Sequence, residues 1–225
     1  MKYKLLTVVA ISATLLLGQS DNVKRLDAAA EVLQEVMDIA DKAIPQKLLD
    51  KSECIVVVPG LKKGAFIVGA KFGRGFLTCR QRGGVGWSGP GAIRVEGGSV
   101  GLQIGGSEVD VIMLVMNERG VARLLSSKFT LGGEASAAAG PVGRTAQAET
   151  DAKMTAEILT WSRSRGLFGG VSLHGATLRQ DLDANKDLYG EPLENKVIVL
   201  EHKPAPEAAA RFLALLNKYS SRQVK

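Results

Sequence analysis

Cysteine and histidine are scarce in this chain of 225 residues: Cys54 and Cys79, His174 and His202 are the whole supply. A structural zinc takes four ligands, and no Cys or His stands at ligand spacing from either cysteine, so a zinc site is excluded. Two histidines also leave few candidates for a catalytic base. Long apolar runs are missing as well. The longest, Leu5 to Leu17, is shorter than the roughly 20 residues that a transmembrane helix needs. Net charge is only +6 and spread along the chain, too diffuse to indicate nucleic acid as a partner. There is no internal repeat and no low-complexity linker. With hydrophobic residues at 45% and charged residues at 23%, disorder and fibrous repeats are excluded as descriptions of the whole.

Glycine is what the chain has in quantity, and it is unevenly placed. Of 26 glycines, 24 lie between Gly60 and Gly175, a density that long helices do not tolerate. The middle is therefore read as sheet and turns, with helices at both ends. Val23, Leu26, Ala30, Leu33, Met37, Ala40 and Ile44 draw one apolar stripe on a helix over 22–44, capped by Asp21 and stopped by Pro45. Short β-rich runs follow: Cys54 to Val58, Ala65 to Phe72, Phe76 to Arg80, Ala92 to Glu96, Val100 to Ile104 and Val109 to Met116. The last is almost continuously apolar and predicts a central strand covered on both sides. Gly69 and Gly73 share one strand face, which lets backbone or a ligand approach closely.

Beyond this come a short helix over 117–127, strands around 154–162 and 167–173, a polar helix near 178–188, a strand at 197–200 and a last amphipathic helix over 207–219. The expected fold class is α+β: a single domain with a glycine-rich, mainly antiparallel sheet or partly closed barrel, flanked by N- and C-terminal helices.

Lys2 and Lys4 precede the apolar run, and Gly18 and Ser20 place small residues before Asp21. This pattern reads as a signal peptide over residues 1–20, leaving 21–225 as one domain with net charge +4. It predicts an exported protein, periplasmic or extracellular. In that setting Cys54 and Cys79 can form one disulfide, two buried thiols being the alternative.

Motifs for chemistry are mostly incomplete. Gly97-Gly98-Ser99-Val100-Gly101 matches G-x-S-x-G, but a hydrolase elbow needs a helix after the serine, and alternation on both sides predicts a hairpin turn instead. Asp181, Asp183, Asn185 and Asp187 have the alternation of a calcium loop, yet Lys186 and Pro192 replace its glycine and glutamate. A solvated helix face is the better reading. Gly64 and Gly69 have P-loop spacing, but Ala70 stands where lysine is required. No catalytic residue, metal or cofactor is called for. What remains is a set of basic residues around glycine turns, Lys62, Lys63, Lys71, Arg74, Arg80 and Arg82, with Phe76 and Trp87 among them; near an anionic surface these cations would be attracted.

Several ordered blocks resemble the SYLF domain family. They are Ile44-Pro45 with Leu48-Leu49, Ile55 to Pro59, Gly64 to Gly69, Gly73-Arg74-Gly75, Trp87-Ser88-Gly89-Pro90, Gly101 to Gly106, Ala138 to Arg144, Ser162 to Leu173, and Tyr189-Gly190. The resemblance covers about Asp38 to Gly190. It implies phospholipid binding, with actin binding in the yeast members, and no enzyme. Combined with the export reading, it predicts a membrane-associated module of the bacterial envelope whose partner is anionic phospholipid, held by the basic residues above with Phe76 or Trp87 entering the interface. The alternative is a structural or scaffolding module that binds other proteins, of the actin-binding type.

Overall fold

The structure, a computed structural model, describes residues 20–39, 44–81, 86–142, 156–164 and 167–220, and within these the side chains of 64–69 and 99–106 are not described. Helix α1 (Asp21–Met37) opens the described chain. Its cap is Ser20, whose hydroxyl accepts from the Val23 amide at 3.3 Å, where the sequence suggested Asp21. The helix ends at Met37, short of Pro45, and Ala40 lies outside the described residues. A short α2 (Gln46–Lys51) leads into the sheet.

The expected six short strands are in fact two very long ones. β1 runs Cys54–Cys79 and β2 runs Gly91–Val115, antiparallel from Cys54↔Val115 to Leu77↔Gly91. The predicted hairpin at Gly97 to Gly101 is thus corrected: these residues run straight through β2, opposite Ile67 to Lys71. Glycine was taken for punctuation, but here it permits strands to bend without ending. A 26-residue strand drawn out straight would span about 85 Å. Yet its ends meet, since Cys54 and Cys79 are joined by a disulfide with Cα atoms 3.9 Å apart and the Arg80 amide donates to Glu53 O at 2.8 Å. The ribbon of β1 and β2 therefore folds back on itself, with register shifts between Val58 and Leu61 and between Ala65 and Ile67, and Gly60 at φ +59°. Where its two halves cross, a Cβ on Gly75 would lie 2.1 Å from Val57 O, and one on Gly73 would lie 2.6 Å from Leu61 Cδ1. The close approach that the strand glycines allow is by the protein's own chain.

Smaller elements complete the sheet: α3 (Glu118–Leu124), β3 (Lys128–Thr130), β4 (Ala137–Ala139), β5 (Ile158–Ser164), β6 (Leu167–Gly170) and β7 (Thr177–Gln180). The order is β3-β7-β2-β5-β4, with β1 on β2 and β6 on β5, all antiparallel except β4 on β5. Helices α4 (Leu182–Tyr189), α5 (Asn195–Leu200) and α6 (Ala210–Tyr219) follow. The polar helix expected from 178 starts only after β7, and 197–200 is helix rather than strand. The fold is α+β, a curled, mainly antiparallel sheet forming a half-barrel flanked by N- and C-terminal helices.

Alternation divides the core between two faces. Val56, Val58, Leu77, Val95, Val111 and Met113 point into the curl, with Phe129 and Leu178. Ile55, Val57, Phe76, Ile112 and Leu114 point outward, beneath Leu26, Leu33, Leu49 and Phe212 of the helices. Val111 to Val115 is buried on both faces, as its apolar run predicted.

Candidate interaction face

Of the six basic residues proposed from sequence as one surface, four are at least partly exposed on β1, one is buried and one lies outside the described residues. Lys62 and Arg74 are exposed, and Lys63 and Lys71 half-buried. Burial, more than the neighbouring Lys71 charge, lowers the Lys63 pKa. Arg82 lies outside the described residues. Arg80 is only 8% exposed and is a structural residue. Its guanidinium donates to Leu49 O, Ser52 O and Ser220 O and stacks 4.0 Å from the Trp87 ring centroid. Phe76 and Trp87 belong to the core, so neither is available to enter a membrane. The physical reason is the fold-back, which brings residues near the Gly-rich connection under α2 and α6.

A different row of cations is brought together. Arg74 on β1 is the register partner of Arg94 on β2, Arg94 that of Arg179 on β7, and Arg179 that of Lys128 on β3. Register partners point to the same face, so four cations stand in line across four strands, spanning about 14 Å. Like charges directly opposite one another destabilise a sheet. Two carboxylates offset part of this. Asp181 is buried, with its Oδ2 at 3.4 Å from Arg74 Nε and 3.8 Å from Arg94 Nε, beyond good hydrogen-bond geometry for either. Its Oδ1 accepts from the Ala184 amide and caps α4. Glu96 pairs with Arg179 at 3.2 Å. Arg25 of α1 adds a further cation nearby; burial first, and the Arg74 charge second, lower its pKa, while Asp181 and then Asp21 raise it.

Helix cover stops just short of this row. Asn185 Oδ1 accepts from the Ala92 amide at 2.8 Å, Asn195 Nδ2 donates to Ala92 O at 3.0 Å, and Asn185 Nδ2 donates to Asn195 Oδ1 at 2.8 Å. Asn185 is therefore buried, not part of the solvated face expected from sequence. Two residues along from Ala92 the sheet face opens at Arg94. One row further lie Glu96, Thr177, Thr130 and Phe72, the last 48% exposed. Local pattern carries part of this signal, since Arg94, Arg179 and Lys128 each neighbour a buried apolar residue, Ile93, Leu178 and Phe129. Which strands lie side by side is set by topology, so the alignment of the charges could not be read.

No helix among the described residues is long and apolar enough to cross a membrane. The G-x-S-x-G stretch lies inside a strand and so lacks the strand-to-helix elbow that exposes a nucleophile.

The family model Ysc84, described as Las17-binding protein actin regulator, matches residues 96–219. The chain belongs to the Ysc84 family. It is 31% identical over 200 residues to SH3 domain-containing YSC84-like protein 1 of Rattus norvegicus, covering 86% of this chain and 58% of that protein. With protein YSC84 of Saccharomyces cerevisiae it shares 32% over 181 residues, 79% of this chain and 38% of the relative. With an SH3 domain-containing protein of Schizosaccharomyces pombe it shares 36% over 182 residues, 79% and 42% of the two chains. The chain thus spans little more than half, or less, of these relatives. Ysc84 membership corrects the setting expected from sequence. The relatives are animal and yeast proteins, and the family is described by a protein ligand and by actin, so the bacterial-envelope reading and the exported, periplasmic or secreted location are overturned. Anionic phospholipid as the partner falls with them.

Proposed function

We propose that residues 21–225 act as one protein-binding, scaffolding module of the actin-regulatory type. Membership of a family described as Las17-binding and actin-regulating carries this reading. The architecture is compatible with it: a half-barrel closed by its own disulfide and covered by helices on one side offers a fixed platform, and the polar sheet face beyond Ala92 is open. Fixed platforms bind proteins with little ordering cost.

The test is titration of the purified chain against actin filaments and, separately, against Saccharomyces cerevisiae Las17. Saturable binding to either is the expected result. Absence of binding to both overturns the reading.

A further inference from the structure

We propose that the row Arg74, Arg94, Arg179 and Lys128 is the surface on which this module takes an acidic segment of a protein partner. The inference rests on the protein-binding reading and names the chemistry of the partner. Three observations lead to it. The four cations are aligned by strand register, which repulsion alone would disfavour. Their neutralisation is incomplete: with Arg25 there are five cations against three carboxylates, Asp181, Glu96 and Asp21, the last shared with Lys24. Asp181 is moreover buried and committed to capping α4, so the surplus faces outward. Finally, Phe72 stands half-exposed one row from Arg74 on the same face and supplies an apolar contact beside the charges.

Charge complementarity selects an anionic occupant, and Glu96 selects among anions. It lies in the open face, 40% exposed at its side chain, and repels a uniformly anionic surface such as a bilayer or a nucleic-acid backbone. A protein segment has discrete carboxylates, which can sit over Arg74, Arg94 and Lys128 and leave Glu96 to its partner Arg179. Guanidinium forks suit carboxylates through paired N–H donors, so three arginines in line give orientation as well as attraction.

The experiment uses the full chain and a fluorescein-labelled oligoglutamate peptide, with oligolysine as control. The variant combines Arg74→Gln, Arg179→Gln and Lys128→Gln, leaving Arg94 to hold Asp181; a second variant, Glu96→Gln, removes the exposed carboxylate. Wild type is expected to bind oligoglutamate and lose it as salt rises from 0.1 M to 1 M, where the screening length falls from about 10 Å to about 3 Å. The triple variant should bind about tenfold more weakly, and Glu96→Gln more tightly than wild type. Oligoglutamate binding that is absent, or unchanged in the triple variant, overturns the proposal, and so does binding to phosphatidylserine vesicles that the triple variant loses in its place. The Glu96→Gln arm keeps the test decisive if the triple variant folds poorly, because unchanged or weaker binding there also counts against the row. Actin filaments and Las17 are run alongside: binding to neither, with oligoglutamate results as expected, sinks the protein-module reading and leaves the row standing. Filament binding that the triple variant keeps in full rejects the row as the partner surface.

Discussion

Arg80 and Lys62 look equivalent in the sequence, two cations among glycine turns, and the fold separates them completely. Arg80 serves backbone carbonyls from α2 and from beyond α6, the last 140 positions away, so no local pattern could mark it as structural. Arg80→Leu strands those acceptors in a buried site and should cost at least about 3 kcal/mol in denaturant unfolding. Lys62→Ala, at an exposed position, should stay within about 0.5 kcal/mol of wild type. Tyr189 gives a pH-dependent case. Its hydroxyl donates to Pro90 O at 2.9 Å, and burial raises its pKa above the ordinary tyrosine value. The fold holds the neutral form, so this contribution is fully present below pH about 10 and is lost as pH rises beyond it. Tyr189→Phe should lower stability by about 1 kcal/mol at neutral pH and lose less than wild type between neutral and strongly alkaline conditions. Equal alkaline losses in the two proteins would remove the role given to this hydroxyl.

At the level of elements, the β1–β2 ribbon explains both what the sequence revealed and what it concealed. The almost unbroken apolar run Val109 to Met116 and the apolar stripe of α1 identified a central strand and a covering helix, because burial on both faces of a strand leaves a run, and burial on one face of a helix a period, that the chain displays directly. Strand length was hidden. Gly97, Gly98 and Gly101 have the composition of a turn, yet paired residues continue through all three, since a neighbouring strand can hold glycine extended. Two predictions belong here. Reduction of the disulfide, or Cys54→Ser with Cys79→Ser, should remove about 3 kcal/mol by freeing the loop between residues 25 apart in sequence; an unchanged denaturation midpoint would mean that hydrogen bonds and packing alone hold the ribbon closed. Gly75→Ala places a methyl against Val57 backbone, and Gly140→Ala places one 2.0 Å from the Trp161 ring, so each should cost about 2 kcal/mol or more. Gly169→Ala, with nothing within 4 Å of the added carbon, should be nearly neutral. Thermal unfolding of the three variants side by side distinguishes crossing points from ordinary strand positions.

For the molecule as a whole, the α+β class and flanking helices were legible, whereas the candidate face was not. Arg74 alone of the four aligned cations was among the residues singled out by sequence. Arg94, Arg179 and Lys128 come from three separate strands, and only the order β3-β7-β2 with β1 beside β2 sets them in line. Setting was misread for another reason: lysines before an apolar run describe how a chain can be targeted, while its partner is a property of its folded surface. The most direct measurement is therefore a parallel one, with the same preparation sedimented with actin filaments and floated with neutral and anionic vesicles at moderate salt. The account predicts saturable pelleting with filaments and no flotation with either vesicle. Flotation with vesicles, and none of the chain pelleting with filaments, would contradict it.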